Sequence, residues 1–368
     1  MELWPDEIRL HPVTLPLREP FETALEREVD RPLLVVEARA GELRGYGEVA
    51  ATNTPYYYAE TLDTARLILR DFLVPRVLAE PLRRPEDARR RLAPVRGWPL
   101  AKAGLEAALL DLWARRLELP LWRFLGGTRP EVPCGTSIGL RAGAEELLER
   151  VARAVSAGSR RVKLKIAPGR DVELLAAVRA RFPALALAVD GNEGYGEEHV
   201  DHLAGLGRFG LAMVEQPFGA TQLDLHARLA RRLAAPVALD DSIGDLEEAR
   251  HARRIGALGV LNVKAPRMGG AIAGRGAAAW AQGAGVPAFC GGLLDSGIGK
   301  SHALALATCA GFSLPADATP SAHHFEHDLV DPPVTMENGR WRPDPRPGIG
   351  VAVDRGRLES ADSLAIAR

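Results

Sequence analysis

Five charged residues follow one another at nearly constant spacing, and each ends a short apolar run. Lys165, Asp190, Glu215 and Asp240 are 25 residues apart, and Lys264 follows 24 residues after the last of them. A single acid after a strand often caps the next helix, but capping does not explain five charged residues in register. We therefore interpret the set as groups that meet at one site.

The residue types in this set indicate metal-assisted proton transfer. Three carboxylates that converge without partners repel one another, and a divalent cation removes that conflict. Ligation by oxygen atoms alone suits Mg²⁺ or Mn²⁺ better than Zn²⁺. Such a cation stabilises the enediolate that forms when a base removes a proton from the carbon next to a carboxylate. The predicted ligands are Asp190, Glu215 and Asp240, and the predicted acid/base groups are Lys165 and Lys264.

Lysine is rare in this chain. Five lysines stand among 42 arginines, so arginine carries nearly all of the positive charge. An arginine stays protonated in a protein, whereas a buried lysine can act as a base. Strand alternation over 161–166 places Lys163 and Lys165 on the same side. With Lys264, three of the five lysines are predicted at the site; genomic base composition is the alternative explanation of the bias.

The segment after Pro130 alternates short apolar strands with helices, which predicts an α/β fold of the TIM type, a parallel (β/α)8 barrel. The carboxyl ends of barrel strands surround one mouth, where active sites lie. Lys165 then ends the second strand and Lys264 the sixth, so the two amines face each other. An open doubly wound sheet is the alternative, but no GxGxxG motif follows the first strand. The predicted strands are 131–137, 161–166, 184–190, 211–215, 236–240, 259–264, 287–290 and 312–315, and the predicted helices include 144–157, 172–181, 223–233, 246–256 and 274–283.

The N-terminal part has a different pattern, typical of an α+β unit. Gly126, Gly127 and Pro130 mark its end. Its predicted strands are 4–17, 32–40 and 43–50, and its predicted helices are 57–72, 85–92 and 99–117. We predict an α+β domain at 1–128, the barrel at 129–320, and a C-terminal segment at 321–368 that packs back on the N-terminal part.

The composition argues against several classes of protein. The net charge is −1 and the isoelectric point is near 6.8, so the chain lacks the basic footprint of a nucleic-acid binder. No apolar run reaches the ~18 residues of a membrane span, and the first residues do not resemble a signal peptide. The three cysteines form no disulfide framework or zinc-finger pattern. We expect a cytoplasmic protein that acts on a small molecule.

The motifs around the spaced residues resemble the enolase superfamily, specifically its muconate-lactonising subgroup. Within that subgroup the chain looks like the o-succinylbenzoate synthase / N-acylamino acid racemase family, and the similarity spans nearly the whole chain. The matching segments are KLK from Lys163, VDGN ending at Asn192, VEQP from Val214, LDDS from Leu239, NVKAPRMGG from Asn262, GGLLDSGIGK from Gly291, TSIG from Thr136, PYYYAET from Pro55 and AKAGLEAALLDLWA from Ala101.

This resemblance implies a capping domain, built from the N-terminal region and the last residues, that closes over the barrel. It implies a small-molecule carboxylate substrate, a Mg²⁺ ion on the three carboxylates and a homo-oligomer. The loops at Phe21 and at Tyr56 to Tyr58 are implied to cover the substrate. The implied substrate-binding residues are Ser137, Lys163, Asn192, Gly292, Leu293 and Asp295. Departures from the family pattern are Asp241 and Asp295, where Glu is common, and Lys300, where Arg is common, and they leave the substrate open.

Two activities follow from the resemblance. In the synthase, Lys165 removes a proton and then helps water leave from the same face of 2-succinyl-6-hydroxy-2,4-cyclohexadiene-1-carboxylate, while Lys264 stays a cation; the product feeds menaquinone synthesis. In the N-acylamino acid racemase, the two lysines exchange a proton on opposite faces. Another racemase, epimerase or cycloisomerase of the superfamily, and a metal-bound binding module, are further alternatives. His323 and His327 could bind a second metal on a helix, but we interpret them as surface residues.

Overall fold

The computed structural model describes residues 2–141, 143–359 and 362–368. An antiparallel sheet begins the chain, with β2 between β1 and β3, and five helices follow it. The strands are β1 (Glu7–Glu22), β2 (Arg27–Ala40) and β3 (Leu43–Val49). The helices are α1 (Leu62–Ile68), α2 (Val74–Leu78), α3 (Pro85–Leu92), α4 (Pro99–Arg116) and α5 (Leu121–Phe124), and a π-helical turn at Leu69–Leu73 joins α1 to α2.

Helix α4 packs directly against β3 because two glycines let the backbones meet. A Cβ atom at Gly45 would lie 2.2 Å from the backbone nitrogen of Leu112, and one at Gly47 would lie 2.1 Å from the carbonyl oxygen of Gly104. Any side chain at either glycine would push the helix away. The contact fixes α4, which carries buried carboxylates towards the barrel.

Eight parallel strands form a nearly closed barrel, and this confirms the predicted fold. From β4 to β10 each strand pairs with the next one along the chain, and β11 pairs with β4, so that β10 and β11 are the two ends of the sheet. The strands are β4 (Val132–Ile138), β5 (Val162–Lys165), β6 (Leu187–Asp190), β7 (Met213–Glu215), β8 (Val237–Leu239), β9 (Val260–Val263), β10 (Ala288–Cys290) and β11 (Ala316–Asp317). The longer helices around them are α6 (Ala144–Ser156), α7 (Val172–Arg181), α8 (Val200–Gly205), α9 (Leu223–Ala230), α10 (Leu246–Arg254), α11 (Ala271–Gly283) and α12 (Gly297–Ala307).

The C-terminal part returns to the first sheet. Its last strand, β15 (Leu364–Ala367), pairs antiparallel with β1, with Ala367 opposite Glu7. A buried carboxylate on α4 holds the preceding segment, because Asp111 Oδ1 accepts a 2.7 Å hydrogen bond from the backbone nitrogen of Ile349. The remaining elements are α13 (Ser321–His324), β12 (Val330–Asp331), β13 (Arg340–Trp341), β14 (Ala352–Val353), α14 (Arg355–Leu358) and β15 (Leu364–Ala367).

Three apolar clusters make up the core. One lies between the barrel and its helices, and a second lies between the N-terminal sheet and α1 to α4. The third is a small layer of side chains from the five consecutive barrel strands β6 to β10. Its buried members are Ala188, Met213, Ala238, Val260 and Phe289. In the described ranges, no helix has both the length and the apolar character needed to cross a membrane.

Two predicted elements are wrong in position. The eighth strand is β11 and not 312–315, because Ser313 and Leu314 donate their backbone N–H groups to the carbonyl of Ala288 and the ladder forms only after Pro315. The first predicted helix begins at Leu62 and not at residue 57, since the Thr61 side chain caps its N-terminus. The preceding tyrosine segment is therefore free to reach the barrel mouth.

Candidate active site

The register of the barrel strands brings the five regularly spaced charged residues to one rim, at the mouth of the barrel. Lys165 pairs with Asp190 across β5 and β6, and Asp190 pairs with Glu215 across β6 and β7. Asp240 and Lys264 come directly after β8 and β9. All five side chains are at the carboxyl ends of consecutive barrel strands, and each predicted group is brought to the same mouth.

Lys163 and Lys165 face the same carboxylate. The Nζ atom of Lys165 donates to Asp190 Oδ2 at 2.8 Å, and Lys163 Nζ lies 3.3 Å from that oxygen. Lys163 also donates to Glu215 Oε2 at 2.9 Å and to Asp317 Oδ2 at 2.5 Å. The predicted alternation along β5 is confirmed. Burial alone would lower the pKa of Lys163, but the surrounding carboxylates, Asp317 foremost, raise it above its ordinary value.

Asp317 belongs to this rim although it was not predicted from the sequence. It ends β11, and its side chain accepts from Lys163 and from the Arg161 guanidinium. Burial opposes ionisation of Asp317, but the two cations hold its pKa well below the usual range. Because β11 has two residues, it carries no apolar periodicity that could have marked its end.

Lys264 lies in a second group of ion pairs on the other side of the mouth. Its Nζ donates to Asp240 Oδ2 at 2.6 Å and to Tyr57 Oη at 3.2 Å. The guanidinium of Arg267, which the sequence analysis also missed, donates to the other oxygen of Asp240 and, at 2.8 Å, to the carbonyl of Ile243. Burial lowers the pKa of Lys264, but Asp240 more than compensates and the pKa is raised. The signal for Arg267 was its place in the NVKAPRMGG segment.

Glu215 lies between the two lysine groups and is fully buried. Its Oε1 atom accepts a 2.8 Å hydrogen bond from the side-chain amide of Asn262. Burial, with the repulsion of Asp190 and Asp240, outweighs the attraction of Lys163 and raises the pKa of Glu215 to about 7. Burial is thus the main reason that the charged form of Glu215 is disfavoured here.

The predicted metal ligands have the oxygen atoms that a hard cation needs, but they are paired with lysine or arginine side chains. Asp190, Glu215 and Asp240 are at most 1% exposed and offer only oxygen donors. Within the described ranges, no group of three or more His, Cys, Asp or Glu side chains is arranged closely enough to hold a metal. The buried Asn192 amide beside them makes no side-chain hydrogen bond to a described residue. The oxygen atoms of the three carboxylates and this unpartnered amide fit a hard cation. To bind it, the carboxylates must turn away from their lysine and arginine partners.

A cavity of about 90 Å³ lies between the two lysine groups. Of the predicted substrate-binding residues, Ser137, Lys163, Gly292 and Leu293 line it, together with Lys165 and Lys264. Asn192 and Asp295 do not line it. Asp295 instead accepts from the backbone nitrogen of Leu293 at 2.9 Å, so it acts on the shape of the loop.

The N-terminal domain supplies one wall of this cavity. Phe21, Arg31 and Tyr57 contribute side chains from the first two strands and from the segment before α1. Tyr57 and Phe21 belong to the loops that the family resemblance implies as covers, whereas no motif in the sequence marks Arg31. Arg31 is 3% exposed and donates to the carbonyl of Leu294 at 3.1 Å, so it joins the domain to the loop after β10.

The histidines near residue 325 do not form a pair of metal ligands on one helix. Helix α13 ends at His324, so His323 and His327 do not share a helix. His324 lines the cavity and lies edge-on to Phe21, with ring centroids 6.1 Å apart. Burial lowers the pKa of His324 to about 3, so its imidazole is neutral beside the cavity.

Comparison with known proteins agrees with this architecture. Residues 6–126 match the family model "Mandelate racemase / muconate lactonizing enzyme, N-terminal domain", and residues 146–357 match "Enolase C-terminal domain-like". The chain is 38% identical to an o-succinylbenzoate synthase of Geobacillus kaustophilus over 97% of this chain and 95% of the relative. It is 40% identical to an N-succinylamino acid racemase of Thermus thermophilus over 94% and 93% of the two chains.

Solved structures are similar over the whole length. An enolase-superfamily member from Listeria innocua superposes with a TM-score of 0.94 at 33% identity and 99% coverage of both chains. A muconate lactonizing enzyme from Pseudomonas fluorescens gives 0.91 at 26% identity, covering 96% of this chain and 98% of the other. A capped barrel with charged strand ends defines a class of enzymes that act at the barrel mouth. The chain belongs to the mandelate racemase / muconate lactonizing enzyme family of the enolase superfamily, whose enzymes depend on a divalent metal ion.

Proposed function

We propose that this protein is a Mg²⁺-dependent o-succinylbenzoate synthase. It removes water from 2-succinyl-6-hydroxy-2,4-cyclohexadiene-1-carboxylate through an enediolate, a step of menaquinone synthesis. The observation that carries the proposal is the pair of amines, Lys165 and Lys264, on opposite sides of one small cavity. The relatives that carry this name, at 34–39% identity over nearly the full chain, support the choice of substrate.

Lys165 is the base in this proposal. As a neutral amine it takes the proton from the carbon next to the substrate carboxylate. As an ammonium it then gives that proton to the departing hydroxyl group on the same face, so that water leaves and the amine is restored. Lys264 remains an ammonium throughout and faces the negative charge of the enediolate. Its bonds to Asp240 and Tyr57 support this cationic role.

Asp190, Glu215 and Asp240 would hold the Mg²⁺ ion. The bound cation supplies positive charge beside the substrate carboxylate, which favours the enediolate. The burial of these three side chains keeps water away from their oxygens. We assign Ser137, Lys163, Gly292 and Leu293 to substrate contact, and Asn192 and Asp295 to the support of neighbouring ligands and loops.

The N-terminal domain acts as a cap in this proposal. We take 1–128 as the capping domain, 129–320 as the barrel and 321–368 as a segment that ties the two together. The pairing of β15 with β1 supports this division. Tyr57 and Phe21 would exclude water from the cavity while the enediolate exists.

Racemisation of N-succinylamino acids is the second candidate. The position of Lys165 on the second barrel strand and of Lys264 just after the sixth supports it, because amines on opposite faces can remove a proton and return one. The Thermus relative with that name is 40% identical. The same site can support both reactions, since each begins with removal of the proton next to a carboxylate.

Exchange of Lys165 for alanine tests the assignment of the base. We expect Lys165→Ala to abolish dehydration of the cyclohexadiene substrate. Lys102→Ala is the matched control, because Lys102 lies on α4 and bonds to the carbonyl of Val95 away from the mouth. Near-normal turnover by Lys165→Ala would rule out this residue as the base.

Deuterium incorporation separates the two activities. The wild-type protein is incubated in D₂O with the cyclohexadiene substrate and, separately, with N-succinylamino acids. The synthase proposal expects rapid formation of the aromatic product. Exchange at the α-carbon of the amino acids without any dehydration would favour the racemase instead.

The metal assignment has its own test. We expect Asp190→Asn, Glu215→Gln and Asp240→Asn each to weaken Mg²⁺ binding, because each replaces an anionic oxygen donor with a neutral amide. Calorimetric titration with Mg²⁺ measures the affinity without substrate. Unchanged affinity in all three variants would remove these residues as ligands.

A further inference from the structure

Gln216 follows the predicted ligand Glu215 and has an unusual backbone conformation. Its φ angle is +33°, in the left-handed region that glycine adopts readily and other residues adopt rarely. Its side chain is fully buried. Two more residues with positive φ, Asn192 and Glu193, lie in the loop after Asp190. Such conformations persist only where the surrounding contacts hold them, and they are frequent at functional sites.

The backbone of Gln216 leaves the hydrogen-bond ladder between β7 and β8. Its nitrogen still donates to the carbonyl of Ala238 at 3.0 Å. In a continued parallel ladder, its own carbonyl would next accept from the backbone nitrogen of Asp240. That carbonyl instead accepts from the backbone nitrogen of Glu193 at 2.8 Å, in the loop after β6. Strand β8 ends at Leu239, so the backbone of Asp240 needs another partner.

The side-chain amide of Gln216 supplies this partner. Its Oε1 atom accepts from the backbone nitrogen of Asp240 at 2.9 Å and from that of Ser242 at 3.2 Å. Its Nε2 atom donates to the carbonyl of Phe218 at 3.0 Å and to Ser242 Oγ at 2.7 Å. Donors at one end and acceptors at the other fix the direction of the amide. The side chain therefore joins the end of β7 to the loop that carries Asp240.

A buried histidine also faces the Nε2 end of this amide. His226 is fully buried, and its Nδ1 lies 2.9 Å from the carbonyl oxygen of Gln222. Because a carbonyl only accepts, Nδ1 carries the proton and Nε2 is an acceptor. That Nε2 atom lies 3.5 Å from Nε2 of Gln216. Burial lowers the pKa of His226 to about 4, so the ring is neutral and keeps this acceptor at neutral pH.

We propose that Gln216 is a positioning residue of the metal site, whose amide replaces the missing ladder bond and holds Asp240 in place beside Glu215. The inference rests on the proposed function, in which both carboxylates hold Mg²⁺. Glycine would adopt this backbone conformation with less strain, but it has no amide to bond to Asp240. Replacing a residue that orients a metal ligand typically weakens metal binding about 10- to 100-fold.

Calorimetric titration of the substrate-free protein with Mg²⁺ tests the proposal. We expect Gln216→Leu, which fills a similar volume without an amide, to weaken Mg²⁺ binding about 10- to 100-fold. Gln216→Glu keeps an oxygen that accepts from Asp240, so we expect it to bind Mg²⁺ about 5-fold or more tightly than Gln216→Leu. Gln222→Leu is the matched control, because its Oε1 accepts from the exposed backbone nitrogen of Gly219 at 3.0 Å. We expect this control to bind Mg²⁺ as the wild type does.

A second variant, Ser242→Ala, decides the matter where Gln216→Leu does not fold. It leaves both bonds to Oε1 in place and removes the 2.7 Å partner of Nε2, so the amide is held less firmly. We expect Ser242→Ala to weaken Mg²⁺ binding about 2- to 10-fold. Circular dichroism and the melting temperature without Mg²⁺ show which variants are folded.

The outcomes separate this inference from the proposed function. Unchanged Mg²⁺ affinity in a folded Gln216→Leu variant or in Ser242→Ala overturns the positioning role. Equal weakening in Gln216→Leu and Gln216→Glu, or in the Gln222→Leu control, also overturns it, because the loss then does not depend on the acceptor for Asp240. These results leave the proposed function in place while the wild type binds Mg²⁺. If the wild type does not bind Mg²⁺, the metal assignment and the proposed function fail, and the positioning role fails with them.

Discussion

Exchange of Glu106 for glutamine is predicted to stabilise the protein at pH 8 but not at pH 4. Glu106 lies on α4 and is fully buried against the start of α11, where its Oε1 accepts from the backbone nitrogen of Ile272 at 3.0 Å. Its Oε2 has no partner among the described residues. Burial outweighs the backbone hydrogen bonds from Ile272 and Ala271 and raises the pKa of Glu106 from 4.5 to about 7.

The magnitude follows from this pKa. The unfolded chain loses the proton near pH 4.5, but the native state keeps it until about pH 7. Stability therefore falls as the pH rises through this window and is constant above it. A shift of this size corresponds to about 3 kcal/mol at ~1.4 kcal/mol per pKa unit. Glutamine is neutral and keeps the acceptor for Ile272, so we expect Glu106→Gln to recover up to about 3 kcal/mol above pH 7 and almost nothing below pH 4.5.

Urea unfolding at pH 4 and pH 8, followed by tryptophan fluorescence, measures the difference. Glu60→Gln is the matched control, because Glu60 also lies at a helix start but both of its oxygens accept, from Leu100 at 2.7 Å and Ala101 at 3.0 Å. Glutamine there loses one acceptor, so Glu60→Gln should destabilise at both pH values. If Glu106→Gln lowers the urea midpoint at pH 8, or shifts it equally at both pH values, the reasoning is refuted.

Three further changes test other parts of the structure. Gly270→Ala should lower the melting temperature, because φ is +142° and the new Cβ would lie 2.0 Å from Glu106 Oε1; an unchanged value would contradict this. Glu37 has a pKa lowered to about 2 despite burial, through bonds to His11 and an arginine, so stability should fall between pH 4.5 and 2 in the wild type and less in Glu37→Gln. Tyr57→Phe removes the 3.2 Å bond to Lys264 and should lower kcat/KM about 3- to 10-fold with unchanged melting temperature.

The sequence could predict the parts of the site that lie on regular strands. Lys165, Asp190 and Glu215 each end a strand of the same parallel sheet, so constant spacing along the chain becomes proximity in space. Asp317 could not be found in this way because its strand has two residues and starts after a proline. The side chains that hydrogen-bond to the site residues come from distant parts of the chain, so their positions depend on non-local packing. Tyr57 is 207 positions from Lys264, and no periodicity links the two.

The cap and the barrel are joined directly behind the loops that line the cavity. Glu106, on α4, accepts from the start of α11, the helix that follows Lys264. Glu48, at the end of β3, accepts from the backbone nitrogens of Ser296 at 3.2 Å and Gly299 at 3.3 Å, at the start of α12. Both carboxyl groups accept from backbone N–H groups at helix N-termini, and burial raises the pKa of each to about 7. Because α11 follows Lys264 and α12 follows the loop at Gly292 and Leu293, a rotation of the cap also displaces residues that line the cavity.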